Sequence, residues 1–242
     1  MATKTINIFG YIGGPWSYSD EPAIVDTDIK AELKNLSDYS GLDVHINSYG
    51  GIATQGIAIY NIIRGAVATV KKQKPEFVCC TITEGIAASA ASIIYCAGDK
   101  RIMRIGSQLM IHNALSIIYG NSYEFRKEAD VLDQHDLSIA AIYEATGNKS
   151  KTEYLKLMKD ETYFVAEEAV EYGLATEVDS STESVITALP FAKGNYQAFM
   201  QRAALSRHIP QISRDNKKEI DTKVSNIGLA KALFAVADEA LD

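Results

Sequence analysis

Two periods of apolar residues alternate along this chain. Residues 5–12 alternate with period two and are rich in Ile and aromatics, which predicts a strand ending at Gly13-Gly14-Pro15. Asp20-Glu21-Pro22 reads as a turn, and Asp26 as a cap for a helix over 28–36. A short strand over 42–46 runs into Asn47-Ser48-Tyr49-Gly50-Gly51. Over 54–70, Ile57, Ile59, Tyr60, Ile63 and Val67 recur at helical spacing. Residues 77–83 form a β-branched strand, followed by a helix of small residues over 87–97. Short strands over 101–105 and 108–111 flank Gly106-Ser107. A long polar helix over 122–146 stops at Gly147-Asn148. Ser150 or Thr152 opens a helix containing 154–158, a helix over 166–172 closes at Gly173, and 175–178 is a last strand.

Repeated strand–helix alternation implies an α/β domain, with helices packed around a largely parallel sheet. Beyond 179–182 the pattern weakens. Residues 191–205 and 227–241 look helical, with the polar segment 213–223 between them. Charge divides the chain at the same place: residues 1–187 carry a balance of -9 and residues 188–242 one of +2. The expected organisation is a domain over 1–187 and a helical extension over 188–242.

The net charge of -7 argues against nucleic acid as a partner, since phosphate contacts need a basic face. Cys79, Cys80 and Cys96 lie in apolar runs without a second cluster to complete a metal site, and read as buried filler in a reducing compartment. The longest apolar stretch, 86–98, is too short to span a bilayer, and no leader pattern precedes the first strand. The expectation is a soluble cytoplasmic protein with no membrane partner, no metal and no cofactor.

Three segments carry chemistry. Gly50-Gly51 follows a strand and precedes a helix, where glycines leave main-chain N–H groups free to face a cleft. It is not a phosphate-binding loop, because the Gly-Lys-Ser/Thr ending is missing. Ser89 sits in Gly85-Ile86-Ala87-Ala88-Ser89-Ala90, at the expected first turn of a helix whose N-terminus favours developing negative charge. His112 closes the strand Met110-Ile111-His112 at its loop end. A serine hydroxyl needs a base within hydrogen-bond reach and a third group to orient that base. Asp160-Glu161 supplies the acid candidates. Ser92, a turn beyond Ser89, reads as packing. His45, His135 and His208 read as structural or surface residues, as do Glu167, Glu168 and Glu171.

Taken in order, Ile46-Asn47-Ser48-x-Gly50-Gly51, Gly56-Ile57-Ala58-Ile59-Tyr60, Gly85-Ile86-Ala87-Ala88-Ser89, Met110-Ile111-His112 and Ala166-Glu167-Glu168-Ala169-x-Glu171-Tyr172-Gly173-Leu174 resemble the ClpP serine peptidase family over about residues 5–180. Within it they resemble the branch that bacteriophages encode for head maturation. The resemblance implies the ClpP/crotonase-type α/β fold of repeated β-β-α units. It also implies a homo-oligomer built through the 122–146 helix, acting on protein substrates without ATP in the host cytoplasm, inside an assembling prohead. It makes Ser89 the nucleophile, His112 the general base, the N–H groups of Gly51 and Ala90 the oxyanion hole, and Gly50-Gly51 the edge that receives a substrate strand. Counting back from Ala166 puts the family's catalytic aspartate on Glu161, with Asp160 beside it as the alternative.

The chain departs from the pattern at three places. Tyr49 replaces a proline, the 51–89 interval is longer, and the N-terminal axial segment is missing, which argues against docking to an unfoldase ATPase. Two other readings stay open: a crotonase-type acyl-CoA enzyme on the same fold, and a degenerate assembly or scaffold subunit.

Overall fold

The computed structural model describes residues 2–14 and 23–179. The expected turn at Asp20-Glu21-Pro22 and the expected extension over 188–242 lie outside the described residues.

The elements follow in the order β1 (Lys4–Ile12), α1 (Asp26–Glu32), β2 (Gly41–Gly51), α2 (Ala53–Lys71), β3 (Val78–Ala88), α3 (Ala90–Tyr95), β4 (Lys100–Arg104), β5 (Gln108–Ile111), α4 (Ser122–Thr146), α5 (Lys151–Lys159), β6 (Thr162–Val165), α6 (Ala166–Glu171) and β7 (Glu177–Asp179). They build one seven-stranded sheet of mostly parallel strands. Alternate residues of the strands (Ile6 and Ile8, then Leu42, Val44 and Ile46) point into one core. There they meet Ile59, Ile63 and Val67 of α2, the small residues of α3, and Ile139, Ala140 and Tyr143 of α4. Gly56 lets α2 close on α3, because a side chain there would run into the Ala90 carbonyl at 2.8 Å.

β3 forks. Its residues 80–83 pair with β4, while 86–88 pair with β5 in the register Ala88↔Met110. β5 also pairs antiparallel with β6, Ile111 opposite Thr162. β6 is absent from the pattern reading, since only its partner makes it a strand.

The termini of several elements differ from expectation. α1 begins at Asp26 behind Val25 and ends at Glu32, so Asp26 is its first residue rather than its cap. β2 extends through Gly51 and β3 through Ala88, so Gly50-Gly51 end a strand, and Ala87 and Ala88 belong to β3 rather than to a helix. α4 matches expectation, capped by the Asn121 side chain in a reciprocal bond with Glu124.

Why β2 continues past Ile46 is visible in its polar side chains. The pairing with β3 shifts between Ile46 and Ser48, and the pairing with β1 shifts between Phe9 and Tyr11. Each shift removes ladder bonds. Asn47 Oδ1 accepts from the Ile86 N–H at 3.3 Å, and the buried Ser48 hydroxyl donates to the Gly10 carbonyl at 2.5 Å. Side chains thus replace main-chain partners where the strand is irregular.

On the row of strand residues facing away from this core, His45 Nδ1 meets Glu84 at 2.5 Å. Glu84 also receives Arg104 Nε at 2.8 Å, and Arg104 reaches Asp179 at 2.8 Å. His45 is therefore hydrogen-bonded to the end of an ion-paired chain of side chains that crosses four strands, a role its sequence neighbours do not reveal.

Candidate active site

The β3–β5 pair positions the Ser89 and His112 side chains. Beyond the Ala88↔Met110 register, the Ser89 N–H donates to the Met110 carbonyl at 2.9 Å, which carries the pairing one residue further. Ser89 then leaves the strand with φ 55° and ψ -125° and serves as the N-cap residue of α3. Those angles cost a residue with a Cβ on the order of 1–3 kcal/mol, and they persist only where surroundings over-determine them. Here the Ser89 carbonyl is held by the Ser92 N–H at 2.9 Å and by the Ser92 hydroxyl at 2.6 Å. Ser92 is thus more than packing: it locks the turn that presents Ser89.

His112 follows β5 directly. Its Nε2 lies 2.7 Å from Ser89 Oγ, and both residues are half-buried. That is the hydrogen-bond reach a base needs in order to take the serine proton.

The antiparallel pairing of β5 and β6 ends at Ile111↔Thr162, and the next residues beyond that pair are His112 on one strand and Glu161 on the other. One carbonyl, that of Met158, accepts from the N–H of Asn113 at 3.2 Å and from the N–H of Glu161 at 3.0 Å. Asn113, the residue after His112, and Glu161 are therefore tied to the same atom. Glu161 is half-buried, has φ 49°, and accepts from the Tyr163 hydroxyl at 3.5 Å. Asp160 is the exposed C-cap of α5, one residue earlier in the chain.

Gly50 and Gly51 stand on the other side of Ser89. Gly50 has φ 97°, and a Cβ there would lie 2.8 Å from Ser89 Cβ and 2.9 Å from the Ala90 nitrogen. Its N–H donates to Ser48 Oγ at 3.0 Å. Gly51 has φ 152°, and its Cβ would fall 1.9 Å from the Ile12 carbonyl oxygen. The first glycine brings the β2 backbone against Ser89 and Ala90, and the second closes β2 on β1. Tyr49 packs beside Ile86, Ala88 and Met110, under the same strand ends.

Among the described residues there is no group of three His, Cys, Asp or Glu side chains able to hold a metal ion, and no helix long and apolar enough to cross a membrane. Burial pushes the Cys79 and Cys96 thiols up to about 12 and the Cys80 thiol up to about 11, so none is a ready nucleophile.

A parallel-sheet α/β domain that delivers a serine on a strained strand-to-helix turn, against the imidazole of a neighbouring strand, is built for acyl transfer. The Clp protease family model matches residues 25–182, and the chain belongs to the Clp protease family. It is similar to the ATP-dependent Clp protease proteolytic subunit 2 of Treponema denticola, 33% identical over 63% of this chain and 73% of that protein. It is likewise similar to the ATP-dependent Clp protease proteolytic subunits of Chlorella vulgaris and Deinococcus radiodurans. The former is 32% identical over 64% of this chain and 72% of the relative, the latter 31% over 58% and 66%. The protein is a serine peptidase on a mixed α/β fold whose mostly parallel sheet is surrounded by helices.

Proposed function

We propose that Ser89, His112 and Glu161 form the catalytic triad of this peptidase, with the N–H groups of Gly51 and Ala90 as the oxyanion hole. The 2.7 Å contact between His112 Nε2 and Ser89 Oγ carries the reading. With Nε2 accepting the serine proton, Nδ1 bears the other one and turns toward the acid side of the ring. The register favours Glu161 over the exposed Asp160 for that place. An extended substrate pairs beside Gly50-Gly51 and offers its carbonyl to Ser89. Oγ attacks, His112 takes the proton and returns it to the leaving amine, and water then resolves the acyl-enzyme by the same route. Each oxyanion donor contributes about 3 kcal/mol of transition-state stabilisation.

The substrates we assign are phage capsid or scaffold proteins, cleaved in the host cytoplasm during head assembly. The motif resemblance supports this, as does chain that continues past residue 182, where the family match stops. Assembly into a homo-oligomer runs through α4. Leu115, Ile117 and Tyr119 before α4, and Tyr123 and Phe125 in its first turn, are large apolar side chains left exposed, which supports this reading.

Intact-mass labelling with a fluorophosphonate tests the triad. The expected result is a single adduct on wild type and none on Ser89→Ala or His112→Ala. No adduct on the wild-type oligomer would overturn it. For the head-maturation reading, incubation of the purified chain is expected to shorten it near residues 180–200, while Ser89→Ala stays full length. A wild type that labels yet leaves both its own tail and a co-expressed capsid protein intact would set that branch aside.

A further inference from the structure

Asp136 sits a little past the middle of α4 and is 5% exposed. Its Oδ1 accepts the N–H of Ala114 at 2.7 Å. Ala114 is two residues past His112, at the start of a stretch without regular structure, so this bond fixes where the chain goes after the imidazole. Nothing in that anchoring requires a charge. An asparagine oxygen would accept the same N–H without the desolvation cost of a buried carboxylate. Burial does hold the Asp136 carboxyl above its ordinary value, opposed by the Ala114 N–H, reinforced by Asp133 and opposed again by His112 and His135. The imidazole of His112 is thus within electrostatic reach of this buried acid on α4.

We propose that Asp136 is a positioning residue for the Ser89–His112 pair: its carboxylate pins the chain at Ala114, and its negative charge supports the imidazolium that forms when His112 takes the serine proton. This rests on the assignment of Ser89 and His112 made above. A charge buried behind a base acts where water does not screen it, and therefore more strongly than one at the surface. It favours the state in which His112 is protonated, so it acts on the rate of serine attack and leaves ligand recognition alone.

The test is the concentration dependence of fluorophosphonate labelling of Ser89 in the full-length protein, comparing wild type, Asp136→Asn and Asp136→Ala. Asp136→Asn keeps the acceptor for Ala114 and removes only the charge. Its maximal labelling rate is expected to fall about 10-fold, with the half-saturating probe concentration within about twofold of wild type. Its melting temperature at neutral pH is expected to be no lower than that of wild type. A carboxyl whose folded-state pKa is raised destabilises the fold above that pKa, so a neutral replacement relieves a cost. Asp136→Ala is expected to label more slowly still. If wild type labels and Asp136→Asn labels within twofold of it, the charge has no role and the proposal falls while the triad stands. If Asp136→Asn is slow but melts several degrees below wild type, the role is structural and the proposal falls as well. Absence of labelling in wild type overturns the triad assignment and this inference together.

Discussion

The Tyr143 hydroxyl lies 2.7 Å from the Ser92 hydroxyl, which in turn donates to the Ser89 carbonyl. Tyr143 is buried on α4, so a helix distant in sequence reaches the Ser89 peptide through two hydroxyl groups. Tyr143→Phe removes the donor and leaves the Ser92 oxygen short of one bond in a dry setting. The expected cost is about 1–2 kcal/mol of stability, read from urea unfolding, with a several-fold slower labelling of Ser89. A variant as stable and as reactive as wild type would show the relay to be idle.

The backbone at Ser89 offers a separate prediction. Ser89→Ala and Ser89→Gly are both expected to lose all activity, but only glycine relaxes φ 55° with ψ -125°. Relief of strain outweighs the larger unfolded-state entropy of glycine, so Ser89→Gly is expected to exceed Ser89→Ala in stability by about 1 kcal/mol. Equal unfolding midpoints would mean the turn is not strained.

Gly50 separates a catalytic effect from a folding effect. A methyl group there meets Ser89 Cβ and the Ala90 nitrogen, and the residue must hold φ 97°. Gly50→Ala is expected to cut labelling by at least about 100-fold, since a displacement of order 1 Å at the reacting atoms has that effect. Full labelling in a folded Gly50→Ala chain would place the substrate-binding edge elsewhere.

Acid sensitivity should centre on Asp99. Burial raises its carboxyl, but the bond from Lys71, the Cys79 N–H and the charges of Lys71 and Arg64 outweigh this and hold it below the usual carboxylate range. A folded-state pKa below the unfolded value of about 3.9 contributes stability above that value, lost as pH falls through the folded one. Asp99→Asn is therefore expected to be less stable than wild type at pH 7, with the gap closing below about pH 4. Urea midpoints at pH 7, 5 and 3 check this, and a gap that stays constant across them would contradict it.

Much of this architecture was legible from local pattern, and the failures have a common physical origin. The C-terminal limit of α4 was readable because Gly147 marks it chemically, while the Asn121 cap at its start shows only in the structure. β6 was not, because residues 162–165 carry no alternation strong enough to announce a strand without β5 beside them. The ends of β2 and β3 were misplaced because Asn47, Ser48 and a run of alanines look like loop and helix. Their true role as ladder substitutes and strand interior depends on bulges set by other strands. Ser89 and His112 could be singled out by their neighbours in the chain. Asp136 could not: it is one acid among several on a polar helix, and only folding shows it buried against Ala114.

Because Ser89 and His112 leave adjacent, hydrogen-bonded strands just past a single paired register, their separation is set in whole residues rather than continuously. A slip of β5 by one position would move the imidazole by about 3.3 Å and reverse its face. No half-aligned intermediate exists. Substitutions that loosen β5 should therefore act like dilution. A preparation would hold fewer competent molecules, each turning over at the full rate, and titration of reactive serines would account for the whole deficit in activity.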